Sequence, residues 1–220
     1  MTHYPILMGA GPFGPSYLFN EARFSNTNTG TFAFSAVDFN SDSPDRLVIV
    51  AVHWYEFDTA ASLDTISVGG VSATLVRSSY RLVSGGTGSY IYSALYRVQP
   101  TGTSGTINLQ FSRGIDAGCS VATWSAYNLS SIIPATSAGG NPSRNVTTQT
   151  GDVVIACATG LTYLESTWTG VTEDYDQFNV SGNGLSRTGG ATVATTTGSL
   201  SVGVSAADSG PMTMVAAVWR

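Results

Sequence analysis

The stretch RLVIVAVHWY (residues 46–55) decides the fold, because GDVVIACA (residues 151–158) opens a second run of the same kind. From Leu47 to Val52 and from Val153 to Ala158 nearly every residue is apolar. A strand with one wet face alternates apolar and polar residues. An unbroken apolar run suits a central strand covered on both faces, or a strand of an intersubunit surface. Outward from these two stretches, TISVGGVSATLV (65–76), IYSALYRV (91–98), GTINLQFS (105–112) and CSVATWSAY (119–127) follow the first. STWTGVTEDYD (166–176), ATVATTT (191–197), GSLSVGVSAA (198–207) and PMTMVAAVWR (211–220) follow the second. Each run turns at a Gly-Val pair, Gly70-Val71 or Gly170-Val171, and closes on an apolar strand carrying Trp124 or Trp219. Ile107, Leu109 and Phe111 alternate with Asn108 and Gln110, the pattern of a half-buried antiparallel strand. Gly-rich pairs at 69–70, 85–86, 139–140, 182–184 and 189–190 read as turns. No stretch carries a helical stripe. The pattern predicts an all-β, antiparallel, jelly-roll-like β-sandwich of about a dozen short strands. One domain is expected over residues 31–220, with pseudo-repeat halves 46–128 and 152–220 and Ile132–Thr150 as the linker between them.

Composition narrows the partners. Only 10% of residues are charged, against roughly 25% in an average domain, so Ser, Thr and Gly supply the surface. The net charge is −5 and all nine basic residues are arginines scattered singly, which argues against nucleic acid. The longest apolar run is too short to cross a bilayer, so no membrane insertion is expected. The N-terminus lacks the charged and apolar regions of a secretory signal, which predicts synthesis in a cytoplasm without export by that route. Cys119 and Cys157 lie in apolar strands of different halves and are expected as buried free thiols.

Residues 1–30 depart from the rest. Pro5, Pro12 and Pro15, with several glycines, favour an extended N-terminal arm over regular ladder pairing. Phe13, Tyr17, Phe19 and Phe24 must then lie on their own domain or on a neighbour, and both readings stand. On the second, these four residues are an assembly arm.

Candidate chemistry is sparse. The chain holds two histidines, His3 in the N-terminal segment and His53 at a strand end, and no G-x-S-x-G elbow, so a nucleophilic triad is not expected. A carboxylate pair for glycoside hydrolysis has candidates in Glu56, Asp58, Glu165, Glu173, Asp174 and Asp176, but no pair stands out. Asp38, Asn40, Asp42 and Asp45 resemble the start of a calcium loop. Ser43 replaces its glycine and Ile49 its bidentate glutamate, so a polar turn explains them and no metal is expected. No cofactor motif is present. Aromatics can stack on sugar rings, and Trp54, Tyr55, Trp168 and Tyr175, close to turns, are the glycan-contact candidates. Tyr90, Tyr92 and Tyr96 share one face of a strand and are expected in the core.

The run DRLVIVAV (45–52), ISVGGVSATLV (66–76), SALYRVQPTGTSGTINLQFS (93–112), then GDVVIACA, WTGVTEDYD (168–176) and VAAVWR (215–220), resembles β-sandwich virion structural proteins of tailed bacteriophages and prophages. The resemblance covers residues 31–220 and rests on strand and turn texture, so it assigns no residue roles. It implies a non-enzymatic tail or capsid-surface protein, such as a capsid decoration, that binds other virion proteins and copies of itself. A homo-oligomer such as a trimer is the expected assembly. A phage protein is made in the host cytoplasm and freed by lysis, which reconciles the absent signal with a charge-poor surface. The alternative expectation is a carbohydrate-binding module that recognises a host-surface glycan.

Overall fold

A computed structural model describes residues 14–27, 29–56, 61–83, 88–115, 118–140, 142–162, 164–179, 185–208 and 210–220. Among the described residues there are seventeen strands and no helix. The first large sheet runs β1 (Ser16–Ser25), β9 (Cys119–Tyr127), β3 (Leu47–Glu56), β7 (Tyr90–Val98), β6 (Thr74–Leu82). Its smaller companion runs β2 (Thr31–Asp38), β8 (Ser104–Phe111), β4 (Leu63–Val68), β5 (Val71–Ser72). The second large sheet runs β10 (Thr136–Gly140), β17 (Met212–Trp219), β12 (Val153–Leu161), β15 (Leu185–Val193), β14 (Thr172–Asn179). Its companion runs β11 (Ser143–Thr148), β16 (Gly198–Ala206), β13 (Ser166–Thr169). All pairings are antiparallel.

Strand order repeats. With the two-residue β5 set aside, each half places its first, eighth, third, sixth and fifth strands in the large sheet. Its second, seventh and fourth strands form the small one. The repeat begins at β1 and β10, earlier than the sequence pattern predicts, and the expected linker at 132–150 carries β10 and β11. The Gly-Val turns hold equivalent places after β4 and β13. Gly70 and Gly170 both have φ near +80°, a backbone open to glycine and strained for any residue with a Cβ.

The unbroken apolar strands explain how the halves meet. Val48, Val50 and Val52 of β3 point into a core shared with the small sheet of their own half, among Phe32, Phe34 and Phe111. Leu47, Ile49 and Ala51 point the other way, into a core shared with Val153, Ile155 and Cys157 of β12. Val154, Ala156 and Ala158 then face Val146, Val202 and Val204 of the second small sheet. The body is therefore four layers deep, two sandwiches stacked through their large sheets. Each fully buried Val or Leu on these strands contributes about 1.5–3 kcal/mol. β17, central in its sheet, is buried along its whole length.

The central interface is a wedge. Where β6 and β7 cross β17, and β6 crosses β10, Cα atoms approach within 8 Å, closer than the ~10 Å typical of stacked sheets. Small residues permit it: Ser79 meets Thr213 at 2.8 Å between hydroxyls, and a Cβ on Gly139 would lie 3.3 Å from Ser79 Cβ. On the opposite side, where β1 and β9 face β14 and β15, Phe19, Trp124 and Tyr175 fill the gap with ring centroids 5.6–5.8 Å apart.

This corrects the expected arm from Ser16 onward. β1 pairs along its length with β9; Tyr17 Oη donates to the Ala191 carbonyl at 2.9 Å, Phe19 stacks on Tyr175, and the Arg187 guanidinium lies 4.0 Å over the Phe24 ring. These three aromatics are spent inside their own chain, while Phe13 lies outside the described residues. Gly139-Gly140 and Gly189-Gly190 also differ from the turn reading, since both pairs lie within strands.

Candidate interaction surface

Several interior polar side chains are held by neighbours. The calcium-like loop wraps a guanidinium: Arg46 donates to the carbonyls of Phe39, Asn40, Ser41, Pro100 and Gly102 at 2.6–3.2 Å. Asp42 accepts from the Gly102 N–H and pairs with Arg46 at 3.5 Å, and Asp45 accepts from the Asn128 N–H. The loop's oxygens converge on an internal cation, and no group of three metal-ligating side chains exists among the described residues.

His53 sits fully buried at the central interface, Nδ1 2.8 Å from Thr159 Oγ1 and Nε2 2.7 Å from Tyr175 Oη. Thr159 spends its one proton on the Tyr92 carbonyl at 2.6 Å, so Nδ1 carries the hydrogen and Nε2 accepts from the Tyr175 phenol. Burial, with the Arg187 charge adding to it, pushes His53 down to about 3. The imidazole is neutral and structural. Both cysteines are free and buried, Cys119 in the first core and Cys157 in the central one, and burial raises both thiols well above their usual range.

Three of the four glycan candidates lie inside the body: Trp54 and Tyr55 are 4% exposed and Tyr175 is 8% exposed. Trp54 and Tyr175 face the first core and the central core, and Tyr55 plugs the end of the central layer against Ile91 and Leu185. Trp168, half-buried, packs on the second core and donates Nε1 to Thr188 Oγ1 at 2.8 Å. The exposed ring is another. Trp54, Tyr92 and Tyr80 sit opposite one another on β3, β7 and β6, so their rings line up across the sheet. Trp54 stacks on Tyr92 at 4.6 Å and 4°, Tyr92 lies 5.8 Å from Tyr80, and Tyr90 joins both tyrosines at 6.1–6.2 Å. Tyr80, at the open end of this ladder, is 66% exposed. Tyr92 Oη is buried without a hydrogen-bond partner, and Glu56, paired to Arg113 at 2.9 Å, flanks the ladder. Alternation could have found Tyr80, because it shares a face with Leu82 on a strand otherwise rich in Ser and Arg.

β6 and β14, each ending one of the large sheets, differ in charge. β6 ends the first large sheet and exposes Leu75, Tyr80, Leu82, Arg77 and Arg81, with no acid in the strand. The four-stranded companion sheet ends in the two-residue β5 and leaves this margin uncovered. β14, its topological counterpart, carries Glu173, Asp174 and Asp176, with Glu165 nearby, and no base. Asp174 turns inward at a bulge and accepts from Trp124 Nε1 at 2.7 Å; burial raises it to about 6. Asp176 is tied to the Ser166 N–H at 2.6 Å and raised by burial. Glu173 stays exposed and is raised to about 7, by partial burial and then by the charges of Asp176, Glu165 and Asp174. The described hydrolytic candidates fall in three separate places. Glu56 lies beside the first core and Asp174 in the central layer, whereas Glu165, Glu173 and Asp176 gather at the β14 margin. Asp58 lies outside the described residues.

Comparison with protein-family models, with curated proteins and with solved structures finds no match for this chain.

Proposed function

We propose that the chain is a non-enzymatic structural component of a phage-like virion, at the tail or capsid surface, that assembles with copies of itself and with neighbouring virion proteins. The observation that carries this reading is the β6 margin, where Leu75, Tyr80 and Leu82 are each at least half exposed along one edge strand. An uncovered edge bearing large apolar groups is a liability that a monomer ordinarily blunts and an assembly protein uses. The buried, mutually satisfied His53, Thr159 and Tyr175 support a structural use of the one described histidine. A charge-poor exterior accords with a particle surface. The deciding experiment is immunogold labelling of tailed particles released from a bacterium that carries the coding sequence, with an antibody raised against the purified chain. Labelled particles are expected; label confined to debris and soluble protein would overturn the reading. Deleting residues 1–13, which hold Phe13, tests the anchoring role of that segment while leaving β1 intact.

The aromatic ladder favours a second reading, recognition of a neutral sugar ring on Tyr80 and Tyr90. Arg113 offsets the charge of Glu56 beside them, which disfavours a charged ligand. Quenching of intrinsic fluorescence by host-surface polysaccharide, lost in Tyr80→Ser, is the expected sign; an unchanged titration in that variant would overturn it.

A further inference from the structure

We propose that the β6 edge of one copy docks on the β14 edge of the next, joining molecules head to tail. This rests on the assembly role above and names the surfaces that would perform it. The two edges lie on opposite sides of the body. β6 crosses β10 and β17, whereas β14 lies against β1, whose Ala22 carbonyl accepts from Gln177; β1 and β6 are opposite margins of one sheet. A contact between them cannot close within one molecule.

Charge selects the pairing. β6 against β6 would set Arg77 and Arg81 against their own copies, and β14 against β14 would do the same with Glu165, Glu173 and Asp176. Only the mixed pair brings opposite charges together, and like charges across an interface cost several kcal/mol. Apolar area is available on both sides. Leu75, Tyr80 and Leu82 line β6, while exposed Leu164 lies near β14. Partial burial, and then the charges of Asp176, Glu165 and Asp174, raise Glu173 to about 7, and a neighbour's arginines would offset those charges. A heterologous contact of this kind closes into a ring if the rotation per step permits and runs on as a filament if it does not.

Charge reversal tests it. One variant carries Arg77→Glu and Arg81→Glu; the other carries Glu165→Arg and Glu173→Arg, which spares Asp176 and its bond to Ser166. Sedimentation velocity over a concentration series should show wild-type self-association. Each variant alone should associate roughly a hundredfold more weakly, and a mixture of the two should recover to within about tenfold of wild type, since each then meets an opposite edge. Should a reversal fail to melt cooperatively, the neutral versions, Arg77→Ser with Arg81→Ser and Glu165→Gln with Glu173→Gln, should each weaken association about tenfold. A wild type that stays monomeric at its solubility limit, reversals without effect, or a mixture no stronger than its components would each overturn the proposal. Labelled particles together with a monomeric wild type would sink the edge contact and leave the virion role standing.

Discussion

The two sandwiches share a strand order, yet the first is packed with rings and the second with small aliphatic side chains. Phe32, Phe34, Phe39, Trp54, Tyr92, Tyr96 and Phe111 fill the core of the first, while the buried core of the second is built from Val, Ala and Met. The contrast continues at equivalent places. Arg46 stands just before β3 as a buried cation among five carbonyls. Asp152 stands just before β12 as a buried anion, held by the Gln149 N–H at 2.7 Å and by Arg220 Nε at 3.2 Å. In the ladders, Leu95 faces Ala51 in the first half and Gly189 faces Cys157 in the second. A strand order can therefore be kept while core volume and the sign of a buried charge change, provided each of these buried charges finds its own partners.

The largest expected effect breaks the first half at its cation. Arg46→Ala leaves several carbonyls without a donor in a buried loop and should cost about 3–5 kcal/mol. Asp152→Ala should cost only about 1–3 kcal/mol, because the partner Arg220 is 35% exposed and water can take it over. Urea denaturation of the pair measures the difference, and equal losses would show that burial of the partner is not what separates them.

A smaller effect is expected at Gly189. A Cβ there would sit 2.6 Å from the Tyr175 ring, so Gly189→Ala must displace a side chain that is also bonded to His53. The expected cost is about 1–3 kcal/mol from overpacking. Combining it with Tyr175→Ala should recover part of that penalty in a double-mutant cycle, whereas full additivity would place the strain elsewhere.

The smallest effect sharpens the comparison through pH. Folding raises Asp174 from 3.8 to about 6, chiefly by burial. Its contribution is fully present below the unfolded value and is lost as pH rises through about 6. His53 acts in the other direction, lowered from 6.5 to about 3 by burial and by Arg187. Its contribution is present above 6.5 and is lost as pH falls toward 3. Melting temperatures measured from pH 4 to 8 should therefore depart from wild type below about pH 6.5, where Asp174→Asn removes a decline with rising pH and His53→Gln removes a decline with falling pH. Parallel curves for wild type and Asp174→Asn would mean that Trp124 holds the carboxylate as well as water does.

Much of the architecture was legible because a fully apolar strand has two dry faces, and β3 and β12 announce this in consecutive residues. β1 was hidden by its own geometry. A bulge between Phe19 and Glu21 shifts the register, so Tyr17 and Phe19 fall out of phase with Ala22 and Phe24 and the period of two is lost. β10 and β11 were obscured by Gly, Ser and Pro, which favour turns in most settings but fit a short edge pair here. The surface residues were harder to find. Trp54 and Tyr80 occupy opposite ladder positions to Tyr92 on one sheet face, yet Trp54 is buried and Tyr80 is open.

By itself, the sequence determined that this chain is all-β with half-buried antiparallel strands, and that two of its strands are apolar on both faces. These are properties of a strand's own period and composition. The tertiary structure decided that the sandwiches stack through a wedge, that Tyr17, Phe19 and Phe24 serve the interior, and that Tyr80 reaches water. Burial depends on how far the facing layer extends, and the width of that layer is set by residues distant in the chain.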